Sequence, residues 1–472
     1  MAKQLFNSSE KSNFILNLTE EKYSKFASFG LITACFATSI MTAVPVITGK
    51  QMYALSAVGL AVAGVICMIT ALIGAMKKYI DKRTLVPVCT FGFMLLWGII
   101  STLVSDDLNI AFYGYTGRGE GLLAIIFYAC FFFTALSVKR EKTVTTLIGG
   151  IIGAGLLNSV FAMIQVFTGK LSNYRMISME IQANAASGLA QSPLFLAMLL
   201  TLSLTAALIG FVFFKKKSGK IFCIISACIF AFVMMFTYSL IGICGAVFAV
   251  ISAVTAVIVM KAPKINLLSV LSVIIPAALA VILVQCGLIG NLTQYRLYDG
   301  RILWFADSYY RISASGNYNS DVVDIDDTFD VYYHLNRKAV RIAESNALFG
   351  TGPEQLVFPQ LYTFGSAGEN GEMSDIIAEN KGTFDKVYNE YIYTAATRGI
   401  PSAVALVVLL VSILVIGFRK FSKNRKWQSL CMLILASGGV LLFLIGCSNI
   451  CYSAVFWTVA GLCCADTKEK QS

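Results

Sequence analysis

The segment VYNEYI, residues 387–392, sets Tyr388, Asn389, Glu390 and Tyr391 just ahead of the apolar run PSAVALVVLLVSILVIGF, residues 401–418. A carboxylate at the mouth of an apolar helix costs free energy unless it is paired, so Glu390, with Asn389 beside it, marks a candidate site. Tyr391 and Tyr393 fit the aromatic belt of a membrane interface. Tyr388 offers only a phenol, and a phenol with an ordinary pKa of about 10 is a poor base at neutral pH.

Other polar groups gather in a few places. GYTGRGEGLL, residues 114–123, puts Arg118 and Glu120 within one turn of an apolar block. A Gly-rich loop with a cation can cradle phosphate, although GRGEG lacks the GK[ST] of a P-loop. The alternative is a surface turn whose Arg stretches to the headgroups. DGRILWFADSYY, residues 299–310, places Arg301, Trp304 and Phe305 on an expected helix after Gly300. Arg337 and Arg341 are four apart on a second expected helix that ends near Ser345, so they share a face, which is either solvated or a binding surface. Gly350 and Gly352 bracket Thr351, and Pro353 fixes the backbone after them, which reads as a tight turn. The stretch 169–190 holds Arg175, Glu180 and QANAASG, with Asn184 as a possible cap; structural and functional readings both stay open there. The single histidine, His334, speaks against a zinc site. Of thirteen cysteines nearly all fall inside apolar blocks and none forms a CxxC pair, so no disulfide framework is expected.

These groups need a scaffold, and the composition says which. The chain has 472 residues, 57% hydrophobic and 13% charged, with mean hydropathy +0.74. Soluble chains carry about 25% charged residues. Twelve apolar blocks stand out, at 27–48, 54–76, 84–104, 121–137, 145–168, 192–214, 221–237, 240–260, 266–287, 400–418, 428–446 and 449–464. Most reach the length that crosses a hydrocarbon core, and each must be helical because lipid offers backbone amides no partner. The first block is too long for a cleavable signal and is expected to be retained. The fold class is therefore an all-α polytopic membrane protein with about twelve transmembrane helices.

Charge sets the orientation. The N-terminus, 77–83, 138–142, 215–220, 261–264, 418–426 and the C-terminal tail together hold 24 of the 37 Lys and Arg. The positive-inside rule makes them cytoplasmic. Residues 290–399 carry nine Lys and Arg against fifteen Asp and Glu, a balance of −6. The formal net charge of +11 is thus no sign of nucleic acid binding; it is an inside-surface charge suited to anionic membrane lipids. The expected layout is a cytoplasmic N-terminus (1–26), a membrane domain of helices 1–9 (27–289), one large extracytoplasmic loop domain (290–399), helices 10–12 (400–464) and a cytoplasmic tail (465–472), in the cytoplasmic membrane. A polar insert of that size among short loops is where chemistry belongs.

Four segments, taken together, resemble the O-antigen ligase and polymerase family. DGRILW (299–304) is similar to that family's Gly-Arg…Trp start of the outer loop. NALFGTGPEQL (346–356) is similar to its Pro-Leu-Phe-Gly-x-Gly-Pro, with Ala347 in place of the first Pro. VYNEYI is similar to its Ala-His-Asn-Glu-Tyr-Leu, and GRGEGLL (117–123) to its Arg-x-Glu-Gly-Leu. The resemblance covers most of the chain in order and topology. It implies a multi-pass glycosyl-transferring enzyme of cell-envelope biogenesis, with no cofactor and no metal. The donor is a glycan carried on undecaprenyl or another polyprenyl diphosphate, and the acceptor a glycan, lipid or protein on the outer face. A diphosphate leaving group needs fixed cations, which Arg supplies with bidentate contacts. Arg301 is the first choice, then Arg118, with Arg337 and Arg341 behind. Glu390, Arg301, Tyr388 and Asn389 are the expected catalytic set; Arg118, Glu120, Arg337, Arg341, Gly350, Gly352 and Tyr391 are the expected substrate-binding set.

The chain departs from that family at two polar positions. Tyr388 stands where the family has His, and Leu240, in TYSLIGICG, where it has Arg; residues 311–336 look inserted. Either Glu390 or Asp385 then acts as base, or the acceptor needs little activation, or catalysis is lost. Two alternatives follow: a non-catalytic member that scaffolds envelope glycan assembly, and a transporter of lipid-linked glycans. A transport path needs polar groups at mid-depth, and the helices carry only scattered ones, such as Asn158, Gln165 and Gln191.

Overall fold

The computed structural model describes residues 18–48, 52, 54–115, 118–168, 186–237, 239–262, 267–285, 328–357 and 386–467. Among these the regular elements are helices, with no strand. In chain order they are α1 (Glu20–Thr48), α2 (Leu55–Met76), α3 (Leu85–Val104), the short α4 (Leu108–Tyr113), α5 (Leu122–Leu136), α6 (Glu141–Thr168), α7 (Pro193–Phe213), α8 (Lys217–Met235), α9 (Leu240–Met260), α10 (Leu267–Gln285), α11 (Thr328–Ser345), α12 (Glu390–Arg398), α13 (Ile400–Asn424), α14 (Trp427–Ile445) and α15 (Ile450–Cys464).

The chain is a polytopic helical membrane protein. Nine of the described helices are long and apolar enough to cross a membrane: α1, α2, α3 with the turn before it, α6, α7, α8, α9, α13 and α14. Three shorter apolar helices, α5, α10 and α15, fall on the remaining expected blocks. The outward faces are apolar: Leu72, Leu103, Ile258 and Phe418 are each about three-fifths exposed or more. Water would not tolerate such a surface on a soluble monomer.

Several helices outrun their apolar blocks. α1 starts at Glu20 rather than 27, α6 at Glu141 rather than 145, and α13 runs on to Asn424 rather than 418. Hydropathy marks where the hydrocarbon ends, whereas the helical backbone continues into the headgroups as long as its amides pair. Lys426, just past α13, closes an ion pair with Glu141 at the start of α6.

Burial orders the bundle. α15 is buried along its whole length, and 89% of the apolar window of α7 is buried. α5 packs against α2 and α15, and α3 against α13. α5 and α15 have 15 residues each, so each spans only about 22 Å of a core about 30 Å thick. Both begin at the same end of the bundle, where residues 120–121 and 448–449 lie close to Lys386.

A second segment reaches into the bundle at that end. The Asn158 Oδ1 accepts from the Leu189 N–H at 3.2 Å. The Gln165 Oε1 accepts from the N–H groups of Ser187 and Gly188 at 3.1 and 2.9 Å. Gln191 Oε1 accepts from Asn449 Nδ2 at 3.0 Å. Non-helical backbone is tolerated at membrane depth only when protein satisfies it. The polar groups Asn158, Gln165 and Gln191, which looked scattered, are the partners of this segment and of its junction with α15.

Candidate functional site

Two stretches roof this end of the bundle. The first is the turn after α11. Trp97 Nε1 donates to the Leu348 carbonyl at 2.8 Å, and the Ser101 hydroxyl to the Phe349 carbonyl at 2.6 Å. The N–H groups of Thr351 and Gly352 donate to the carbonyls of Ala396 and Thr397 at 3.0 and 2.9 Å, stitching the turn to the end of α12. Gly350 and Gly352 have φ of 68° and 104°. A Cβ on Gly350 would overlap the Thr397 backbone, and one on Gly352 the Ser105 side chain. Expected as substrate-binding residues, both glycines are placed here where close backbone approach demands them.

The second stretch is residues 386–398. Asn389 is the N-cap of α12: its Oδ1 accepts from the N–H groups of Tyr391 and Ile392 at 3.0 and 3.1 Å. Its Nδ2 donates to the Leu444 carbonyl at 3.1 Å. Tyr391 donates its hydroxyl to the Val440 carbonyl at 3.0 Å. Both tie α12 to α14, which is a positioning arrangement. Tyr388, expected in the catalytic set, is buried.

Between roof and floor lies a cluster of six buried charges, three of each sign: Arg118, Lys386 and Arg398 against Glu120, Glu354 and Glu390. The Lys386 ammonium, fully buried, pairs with Glu120 and lies 3.7 Å from Glu354. It also donates to the Ser448 carbonyl at 2.7 Å. The rings of Tyr393 and Phe195 sit 5.3 and 5.8 Å from it, their electron-rich faces adding to the attraction. Tyr128 donates to Glu120 at 3.3 Å and Tyr393 to Glu354 at 2.8 Å. In the other half, Glu390 accepts from the Ser448 N–H at 2.7 Å and pairs with Arg398 at 3.4 Å. Arg398 also donates to the Thr394 hydroxyl at 2.7 Å. Ser448 joins the halves, since its carbonyl faces Lys386 and its N–H faces Glu390.

The electrostatics follow from burial. Desolvation pushes the Glu120 carboxyl up to about 7 against the opposing pull of Lys386, with Glu354 adding to the rise and Arg118 reducing it. Burial alone would pull Lys386 down, but Glu120 and Glu354 together hold it above its ordinary value. Lys386 is thus charged at neutral pH, and Glu120 is held above the ordinary carboxylate range. Desolvation and Glu390 push Tyr391 up to about 12, and desolvation with Glu354 holds Tyr393 well above its ordinary value, so both phenols stay donors.

A cavity of about 30 Å³ lies against this cluster, lined by Glu120, Glu354, Glu390, Tyr393, Arg398 and Ser448 with an apolar floor that includes Phe91 and Trp457. A water needs about 10–15 Å³ on this measure, so the space suits a water or two. Among the described residues no group of three or more His, Cys, Asp or Glu is placed to hold a metal ion.

The structure therefore brings together Glu120, Arg118 and Glu390 from the expected set. Arg337 is exposed and Arg341 half-buried on α11, and neither lines the cavity. Arg301 and Asp385 lie outside the described residues, as do Trp304, Phe305, Arg175, Glu180 and Asn184. Arg118, expected either at a phosphate or stretched to the headgroups, is buried. Tyr393, expected as an interfacial anchor, is a buried donor to Glu354. Sequence reasoning missed Lys386, Glu354, Arg398 and Ser448. The available signal was a Lys four residues before Glu390 and an Arg eight residues after it, opposite charges around a carboxylate at a helix mouth. No protein-family model matches the chain, and no curated protein matches it at a significant level.

Proposed function

We propose that the chain is a membrane glycan ligase or polymerase, transferring a glycan from a polyprenyl diphosphate to an acceptor on the outer face of the cytoplasmic membrane. Its chain termini then face the cytoplasm, as the basic loops require. One observation carries the reading. Three of the four segments that resemble the O-antigen ligase and polymerase family, far apart in sequence, converge on one buried cluster: Glu120 from the first, Glu354 from the second and Glu390 from the third. In this reading Glu390 accepts the proton of the acceptor hydroxyl. Arg398, on the same cavity, with Arg118 and Arg301, stabilises the charge that develops on the departing diphosphate. Lys386 and Ser448 hold the two halves in register. No nucleotide or metal enters any step.

A second reading, a non-catalytic member that scaffolds envelope glycan assembly, is favoured by the size of the cavity, which takes water but no sugar. Complementation separates the two. The gene is deleted in its host and restored as wild type, Glu390→Gln or Arg301→Ala, with equal membrane levels verified. The enzyme reading expects wild type to restore a surface glycan, and Glu390→Gln to cut its formation roughly 10²–10⁴-fold, the range for loss of a general base. Full restoration by both variants sinks the enzyme reading and leaves the scaffold.

A further inference from the structure

The opposite end of the bundle holds a larger cavity, of about 430 Å³, that the proposed reaction does not use. Three elements shape it: the turn before α3, the last turns of α13 and the end of α15. Arg83, Arg419, Lys420 and Lys423 line it, against Asp81 and Asp466. Asp81 faces Arg83 at 3.9 Å and caps the turn that carries it. Lys420 donates one proton to the Leu462 carbonyl at 3.3 Å. Neither Arg419 nor Lys423 forms an ion pair with another described residue. Part of this charge belongs at helix C-termini, where cations favour the dipole, and on a cytoplasmic face. Those effects place cations on a surface; they do not make them converge on an open cavity.

What lies beside the cavity narrows the ligand. Leu85 and Val86 at the start of α3, and Phe418 on α13, are each more than half exposed, and α3 packs on α13. A polar, cationic cavity therefore opens beside exposed apolar side chains of two packed helices. That pairing suits an amphiphile, with an anionic head in the cavity and a chain against those side chains. Arg offers a phosphate two parallel N–H donors, and Lys adds a mobile point charge. Basic pockets between helices on this side of a membrane suit anionic headgroups.

We propose that this cavity binds a phosphate-bearing group through Arg419, Lys420 and Lys423, supplied by an anionic phospholipid whose chain lies along α3 and α13. The site is independent of the reading given for the opposite end.

The test uses the full-length protein, purified in detergent, with thermal unfolding followed as lipid is added. Phosphatidylglycerol is expected to raise the unfolding temperature in a saturable manner, and phosphatidylcholine is not. In the double variant R419Q/K423Q the concentration needed for half the shift rises on the order of tenfold. Both side chains are exposed, so the variant keeps the fold, checked by its unfolding temperature without lipid. Inorganic phosphate is the second arm. If it protects wild type as well as the lipid does, and the double variant does not respond, the anion site stands but its ligand is a soluble phosphate. Equal protection of wild type and variant, or protection of neither, overturns the proposal.

Discussion

The two ends of the bundle handle charge in opposite ways. At one end six charged side chains are buried, balanced and mutually bonded around a cavity of about 30 Å³. At the other, four cations face two carboxylates around an open cavity of about 430 Å³. Burial makes the difference. A charge removed from water must find partners at once, because its desolvation costs several kcal/mol, so the first end is nearly closed. A charge left half in water keeps its hydration and is free to trade it for a ligand. The first end binds its charges to one another, and the second leaves its cations open to a ligand.

The comparison breaks most severely at Lys386. Lys386→Met would leave Glu120 and Glu354 facing each other without their shared cation. Removing one member of a buried pair costs about 3–5 kcal/mol, so the variant should show a large fall in unfolding temperature or fail to accumulate. The double variant K386M/E120Q, which removes one charge of each sign, should recover part of the loss. A K386M protein as stable as wild type would show that the cluster is wetter than its geometry indicates.

Glu120 sharpens the comparison through pH. Its carboxyl lies above the unfolded value, at about 7 against 4.5. Ionising it in the folded chain is therefore unfavourable, and its contribution to stability is lost as pH rises from about 4.5 to about 7. Measured against Glu120→Gln, the wild type should lose unfolding temperature across that window. A constant difference between the two proteins would mean that Glu120 does not titrate there.

Smaller effects are expected in the roof. Gly350→Ala must adopt a left-handed backbone and overlaps Thr397, which costs about 1–3 kcal/mol, read as a lower denaturation temperature with an unchanged helical spectrum. Asn389→Ala removes the α12 cap and should cost about 1 kcal/mol. Asn389→Asp keeps the capping oxygen and should recover most of that. If Asn389 instead contacts substrate, both variants lose activity while unfolding normally.

Much of the fold was legible because lipid imposes one rule on length and polarity. Every expected apolar block carries a helix, and the errors sit at ends such as Glu20 and Asn424, where hydropathy stops before the backbone does. The site was legible in part. Glu390 and Glu120 stood out as carboxylates at helix mouths, since that position is costly without a partner. The partners did not stand out. Lys386 and Glu120 are 266 residues apart, and neither neighbourhood says that the other exists. Glu354 sits in the turn beside Gly350 and Gly352, and Arg398 lies eight residues past Glu390; neither position shows by itself that the side chain is buried.

The sequence by itself determined that this chain lives in a membrane as a set of apolar helices, and that the polar residues ahead of α13 needed an explanation. Those follow from local composition, which lipid and water sort without reference to distant residues. Tertiary structure alone decided which charges meet. The starts of α5 and α15 meet at one end of the bundle, and the buried carboxylates there are stable only because Lys386, Arg398 and the Ser448 backbone arrive from elsewhere to replace the water they lost.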